Sequence, residues 1–238
     1  MKLLTSSPGI IVGGKSYALV SARVVTWNDH GLQFKPGMGA NKARTLALSM
    51  AVLHWTGAEN EPDTVFATLV KRGLGIEFAI GGDGTVWQFA DPLLCDTADA
   101  GRVNGWSWGV EIVCSGLAPN KLTSPATWLR GRDRERYTAR IHGADRKLVD
   151  FRPAQYTALL ELADAMSSAV PTVARRVCAD GGAVFCDLLV PSALRRWSGY
   201  LCHSNVSVEK LDAGPRVLGA LQAHFAQGLS DTLPGAVA

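Results

Sequence analysis

The chain has 238 residues, enough for one large domain with a buried core. Hydrophobic residues make up 47% and charged residues 19%, a globular balance that excludes a disordered or fibrous chain. The formal charge of +3 is mild. Without a dense basic stripe or a recognition motif, no nucleic-acid partner is expected.

The N-terminus, Met1 to Pro8, begins like a signal peptide, but Pro8, Gly9, Gly13, Gly14 and Lys15 break the apolar run such a segment needs. It reads as no signal, and a cytoplasmic location is the expectation. No run of about 18 apolar residues suggests a membrane span. Residues 16–27 are rich in β-branched and aromatic types and predict one or two strands. Lys35-Pro36-Gly37-Met38-Gly39 is turn chemistry. It divides an N-terminal extension over 1–40 from a main domain over 41–238.

Ser49 to Trp55 is an apolar run that predicts a strand. Residues 62–73 predict a helix with Pro62 near its start and Gly73 at its stop. Ile76 to Ile80 and Thr85 to Phe89 flank Gly81-Gly82-Asp83-Gly84, a hairpin signal. Trp106 to Cys114 predicts another strand. Residues 117–150 read as a basic insertion carrying Arg130, Arg132, Arg134, Arg136, Arg140, Arg146 and Lys147. A solvated loop or exposed helix is the expectation there, with contact to an anionic polymer as the functional alternative. Helices are predicted over 153–168, with Pro153 first, and from Pro215 onward, with a tail frayed from Leu229. Alternating strands and helices make the fold class α/β.

The five cysteines are odd in number and contain no CxxC pair. Free buried thiols are expected rather than a disulfide framework, a single Cys178–Cys186 bridge being the alternative. Among the histidines, His54 ends an apolar strand and His203 follows Tyr200-Leu201-Cys202. Asp212 lies nine residues further on. Two imidazoles and a carboxylate from different elements suit zinc with an open position, although such a trio recurs in many sequences by chance. Glu111 lies within an apolar strand, where it faces either water or a cleft; in a cleft it is a candidate general base. Lys210, two residues before Asp212, shares a face with it in extended chain. There it is either an exposed lysine or an oxyanion-stabilising cation. Gly81-Gly82-Asp83-Gly84 lacks the lysine and helix of a phosphate loop. Cys202 and His203 point to opposite faces of a strand, against a thiol nucleophile.

Four segments in order resemble the type 2 family of zinc N-acetylmuramoyl-L-alanine amidases, which includes muropeptide amidases, phage endolysins and peptidoglycan recognition proteins. They are Val52-Leu53-His54-Trp55-Thr56, Phe78 to Gln88, Asn104-Gly105-Trp106-Ser107-Trp108-Gly109-Val110-Glu111, and His203-Ser204-Asn205 through Lys210-Leu211-Asp212 to Pro215. The resemblance spans about residues 45–228, with 117–150 an extra piece. It implies a central mixed β-sheet flanked by helices and a Zn2+ ion on His54, His203 and Asp212. It also implies Glu111 as acid/base and Lys210 as an oxyanion partner. Trp55, Asn104 and Trp106 are the candidate substrate-binding residues, the two tryptophans being equally readable as core. The implied substrate is the amide between N-acetylmuramic acid and L-alanine in peptidoglycan or a muropeptide, acted on by a monomer. The alternatives are a binding module without turnover and a zinc amidohydrolase or peptidase acting on another amide. Without a signal, a lytic enzyme of this kind would pass from a host cytoplasm to the wall with the help of another agent. Size and the basic insertion favour that lytic use over recycling. Ala98-Asp99-Ala100-Gly101 stands where many members carry Trp-His-Ala-Gly, so that histidine is absent here.

Overall fold

The computed structural model describes residues 7–117 and 133–230. In chain order its strands are β1 (Ile10–Val12), β2 (Lys15–Tyr17), β3 (Val24–Val25), β4 (Lys42–Ala43), β5 (Met50–Trp55), β6 (Phe78–Ile80) and β7 (Val86–Gln88). They continue with β8 (Cys95–Asp96), β9 (Ser107–Ile112), β10 (Arg136–Ile141), β11 (Ala144–Val149), β12 (Ala179–Asp180), β13 (Ala183–Val184) and β14 (Gly199–Cys202). The helices are α1 (Trp27–His30), α2 (Pro62–Lys71), α3 (Pro153–Ala169), α4 (Pro191–Arg195) and α5 (Pro215–Ser230).

Six strands form one mixed sheet in the order β14-β5-β9-β6-β7-β3. The first four run parallel, β7 turns back on β6 through the Gly81 to Gly84 turn, and β3 runs parallel to β7 at the edge. Central parallel strands are covered on both faces and therefore read as continuous apolar runs. Ala51, Val52 and Leu53 on β5 and Phe78, Ala79 and Ile80 on β6 are all fully buried. Each large side chain among them contributes about 1.5–3 kcal/mol.

Strand alternation then assigns the two faces. Trp108, Val110 and Ile112 point to the larger core, with α3 and α5 residues such as Leu159, Leu162, Leu218 and Leu221. Ala79 and Val113 point the other way, to a smaller core with Val65 and Leu69 of α2 and with Phe34 and Phe89. Gly109 and Glu111 share that second face by parity, and so does His54, which pairs with Glu111 in register.

Residues 7–40 join the same body. β3 is the sheet's edge strand, and the β1–β2 hairpin is tied to the sheet by Gln88 of β7. The Gln88 side chain accepts from the Ile11 amide at 2.7 Å and donates to the Ile11 carbonyl at 2.6 Å. The 117–150 segment differs from the expected loop or helix. Its described part is the antiparallel hairpin β10–β11. Arg136, Thr138 and Arg140 face outward, while Tyr137, Ala139 and Ile141 face inward. That is period-two patterning beneath the basic composition. Its two-residue turn, His142-Gly143, has φ of 52° and 72°, the double positive φ of a type I′ hairpin turn. Arg130 and Arg132 lie outside the described residues. The last helix continues to Ser230, past the expected fraying point, and the tail after it also lies outside them. All five cysteines are free and buried, so the Cys178–Cys186 bridge is not formed. No helix among the described residues is long and apolar enough to cross a membrane.

Candidate active site

The carboxyl ends of β14, β5 and β9 form the floor of the site. β5 pairs in parallel with β14 on one side, Leu53 opposite Cys202, and with β9 on the other, His54 opposite Glu111. The residue after Cys202 is His203, which opens a 3-10 turn over His203–Asn205. Three neighbouring strands therefore deliver His203, His54 and Glu111 side by side, at the strand end where open parallel sheets place ligands. Asp212 arrives from the loop that leads into α5. The Ser204 amide donates to the Asp212 carbonyl at 2.9 Å and holds that loop against the turn.

His54 Nδ1 lies 2.9 Å from His203 Nδ1 and 3.3 Å from Asp212 Oδ2, and His203 Nδ1 lies 3.1 Å from the same oxygen. All three residues are buried. Three convergent atoms at these separations match one face of a tetrahedron. With metal–ligand bonds of ~2.0–2.1 Å, such a face has edges of about 3.3 Å. The chemistry of the donors fits as well. Two nitrogens and one carboxylate oxygen are a zinc-type set that leaves a fourth position open.

The electrostatics of the pocket also favour a cation. Burial opposes protonation of His54, but hydrogen bonds to Asp212 and Asp99 and the charge of Glu111 outweigh it and push its pKa up to about 10. Burial and the neighbouring His54 lower the pKa of His203. Burial would raise Asp212, yet hydrogen bonds from His203 and His54 hold it well below the usual carboxylate range. Asp99, Glu111 and Asp212 thus converge on His54, while the charge of Lys210 acts on both Glu111 and His203.

Burial raises the Glu111 pKa to about 7. The charges of Asp212 and Asp99 add to the rise, and those of His54 and Lys210 oppose it. Its Oε2 is shut off from solvent with no hydrogen-bond partner among the described residues. The hairpin tip reaches this loop: His142 Nε2 lies 2.9 Å from the Lys210 carbonyl, and the His142 amide donates to Asp187 Oδ1.

The other candidates fall around this centre. Trp55, half-buried, leaves no room for a side chain at Gly116, where an added Cβ would lie 2.3 Å from its ring, and its far edge approaches Gly214. Trp106 is half-buried at the end of a 3-10 segment and packs on the larger core. The Asn104 side-chain oxygen accepts from the Ala100 amide at 2.7 Å, so it braces a loop. Sequence reasoning passed over Asp99, whose Oδ2 lies 3.2 Å from His54 Nε2. Its signal was the departure from the family's histidine at that position. It also passed over the buried Arg44–Glu77 pair at 3.2 Å beneath the site, which no local pattern marks.

No protein-family model matches the sequence, and no curated protein matches it. Solved structures of N-acetylmuramoyl-L-alanine amidases and peptidoglycan recognition proteins are similar to it. The amidase AmiD from E. coli is 15% identical with a TM-score of 0.45, over 76% of this chain and 61% of that one. This chain therefore spans less than two thirds of AmiD. The Ph2119 endolysin from a Thermus scotoductus bacteriophage is 15% identical with a TM-score of 0.47, over 84% of this chain and 99% of that one. Drosophila peptidoglycan recognition protein SD is 18% identical with a TM-score of 0.46, over 91% and 98%.

Proposed function

We propose that this protein is a zinc-dependent amidase that hydrolyses the amide between N-acetylmuramic acid and L-alanine in peptidoglycan or a muropeptide. The observation that carries the reading is the ligand triangle of His54, His203 and Asp212, with edges of 2.9–3.3 Å, with Glu111 one strand away. A zinc ion held by those three residues supplies the Lewis acidity that polarises a carbonyl and acidifies a water.

The chain's own groups do the rest. Glu111, with a pKa near 7, accepts the proton of the attacking water and returns it to the nitrogen of the leaving L-alanine. The Lys210 ammonium stabilises the negative charge that develops on the lactyl carbonyl oxygen. The His142 contact to the Lys210 carbonyl holds that lysine's backbone in place. Trp55 and Trp106, each half-buried, offer aromatic edges to sugar and peptide.

The test is a digest of purified peptidoglycan, with and without a chelator, read by mass spectrometry. Stem peptides with a free L-alanine N-terminus, lost on chelation and restored by zinc, are expected. Zinc-loaded protein that binds peptidoglycan but releases nothing would overturn the enzymatic reading in favour of a binding module. Cleavage at another amide would overturn the bond assignment alone.

A further inference from the structure

An imidazole can bind a metal through one nitrogen only if that nitrogen carries no proton, and the partner of the other nitrogen decides this. His54 turns Nδ1 toward His203 and Asp212, and its Nε2 lies 3.2 Å from Asp99 Oδ2. A carboxylate only accepts. Nε2 therefore keeps its hydrogen, and Nδ1 is the nitrogen that faces the triangle and gives up its proton when an ion binds. We propose that Asp99 is the positioning residue of this metal site: it holds His54 in the tautomer and ring orientation that leave Nδ1 free to bind the ion. The inference rests on the reading of the triangle as a metal site.

Asp99 is built into this position. Its side chain is 4% exposed. Its Oδ1 is buried with no partner, so among the described residues the carboxylate's one hydrogen bond is to His54. The backbone is gripped on both sides. The Ala98 amide donates to Asn41 Oδ1 at 2.9 Å, and the Ala100 amide donates to Asn104 Oδ1 at 2.7 Å. Beneath the carboxylate lies Gly109 of β9, where an added Cβ would sit 2.1 Å from Asp99 Oδ2 and 2.4 Å from Ile76 Cδ1. Only glycine leaves that seat open.

The seat is buttressed in turn by Glu77. Its Oε2 accepts from the Gly109 amide at 2.8 Å and from Thr97 Oγ1 at 2.7 Å. Its Oε1 accepts from Arg44 at 3.2 Å. One buried carboxylate therefore joins the strand under Asp99 to the segment that carries it. Removing such an outer partner of a ligating histidine typically lowers metal affinity by ~10–100-fold.

The test compares wild type with Asp99→Ala, Asp99→Asn and Gly109→Ala by zinc competition against a chromophoric chelator. The second readout is the 1H–15N signal of His54 Nε2–H in the zinc-loaded proteins. Asp99→Ala should weaken zinc about 10–100-fold and expose the Nε2 proton to rapid exchange. Asp99→Asn keeps an acceptor oxygen but no charge, and should weaken zinc less while retaining the proton signal. Gly109→Ala keeps the carboxylate but takes its seat, and should resemble Asp99→Ala. Thermal midpoints of the metal-free proteins report folding, and if Asp99→Ala does not fold, the Asp99→Asn comparison decides. Unchanged zinc affinity together with an unchanged Nε2–H signal in a folded variant overturns the proposal, as does a wild type that takes up no zinc. Neither readout uses peptidoglycan. A failed digest with normal zinc behaviour therefore counts against the amidase reading and leaves the role of Asp99 standing.

Discussion

The Nδ1 atoms of His54 and His203 lie 2.9 Å apart, although the two residues are 149 positions apart in the chain. Two imidazole nitrogens that face each other so closely need a proton or a cation between them. Asp212 completes the group at 3.1 and 3.3 Å from these nitrogens.

Asp212→Ala removes the one carboxylate among the three proposed ligands. Zinc affinity, measured by chelator competition, should fall by about 100-fold or more, equivalent to ~2.7 kcal/mol. An unchanged affinity would remove Asp212 from the site.

Glu111→Gln keeps shape and volume but cannot take a proton. Zinc content should stay at the wild-type level while kcat falls by about 100-fold or more. Turnover near the wild-type rate would show that another group moves the proton.

Glu77 titrates far from the carboxylate norm. Burial, with the charge of Asp99 adding to it, raises its pKa to about 8 against an ordinary 4.5, despite Arg44 and two hydrogen-bond donors. A folded pKa above the unfolded one means that the folded state binds the extra proton. Its contribution to stability is then complete below about pH 4.5 and declines as pH rises toward 8. Urea midpoints of wild type minus those of Glu77→Gln should fall across that window. A flat or rising difference would contradict the assignment.

Arg134 is fully buried, donating to Glu59 through Nε and Nη2, to the Val113 and Asp150 carbonyls and to Gln155. It is the peg that fastens the inserted segment to the sheet. Arg134→Ala strips Glu59 of its bidentate partner, and breaking a buried pair in this way costs about 3–5 kcal/mol. For a chain of this size the thermal midpoint should drop by roughly 10 °C. A drop of under about 2 °C would mean that the segment is held by other contacts.

Much of the architecture was legible locally. β5, α2, the β6–β7 turn, β9 and α3 follow apolar runs, an N-terminal proline or a Gly/Asp turn, all of which act over a few residues. The basic segment misled because charge was weighed above alternation. Arg136, Thr138 and Arg140 point outward while Tyr137, Ala139 and Ile141 pack inward, and a strand's outer face can be as basic as any loop.

By itself the sequence determined which residues could do chemistry and in what order they come: His54 at a strand end, Glu111 within a strand, and His203, Lys210 and Asp212 near the last helix. Only the tertiary structure decided which of them meet. The parallel register that sets His54 beside Glu111, and the β14–β5 pairing that brings His203 to His54, come from strand pairing between distant segments. So does the seat at Gly109 that turns Asp99 onto His54 Nε2. Local propensity acts over a turn or two of chain, whereas a site spread over some 150 residues exists only once the sheet has closed.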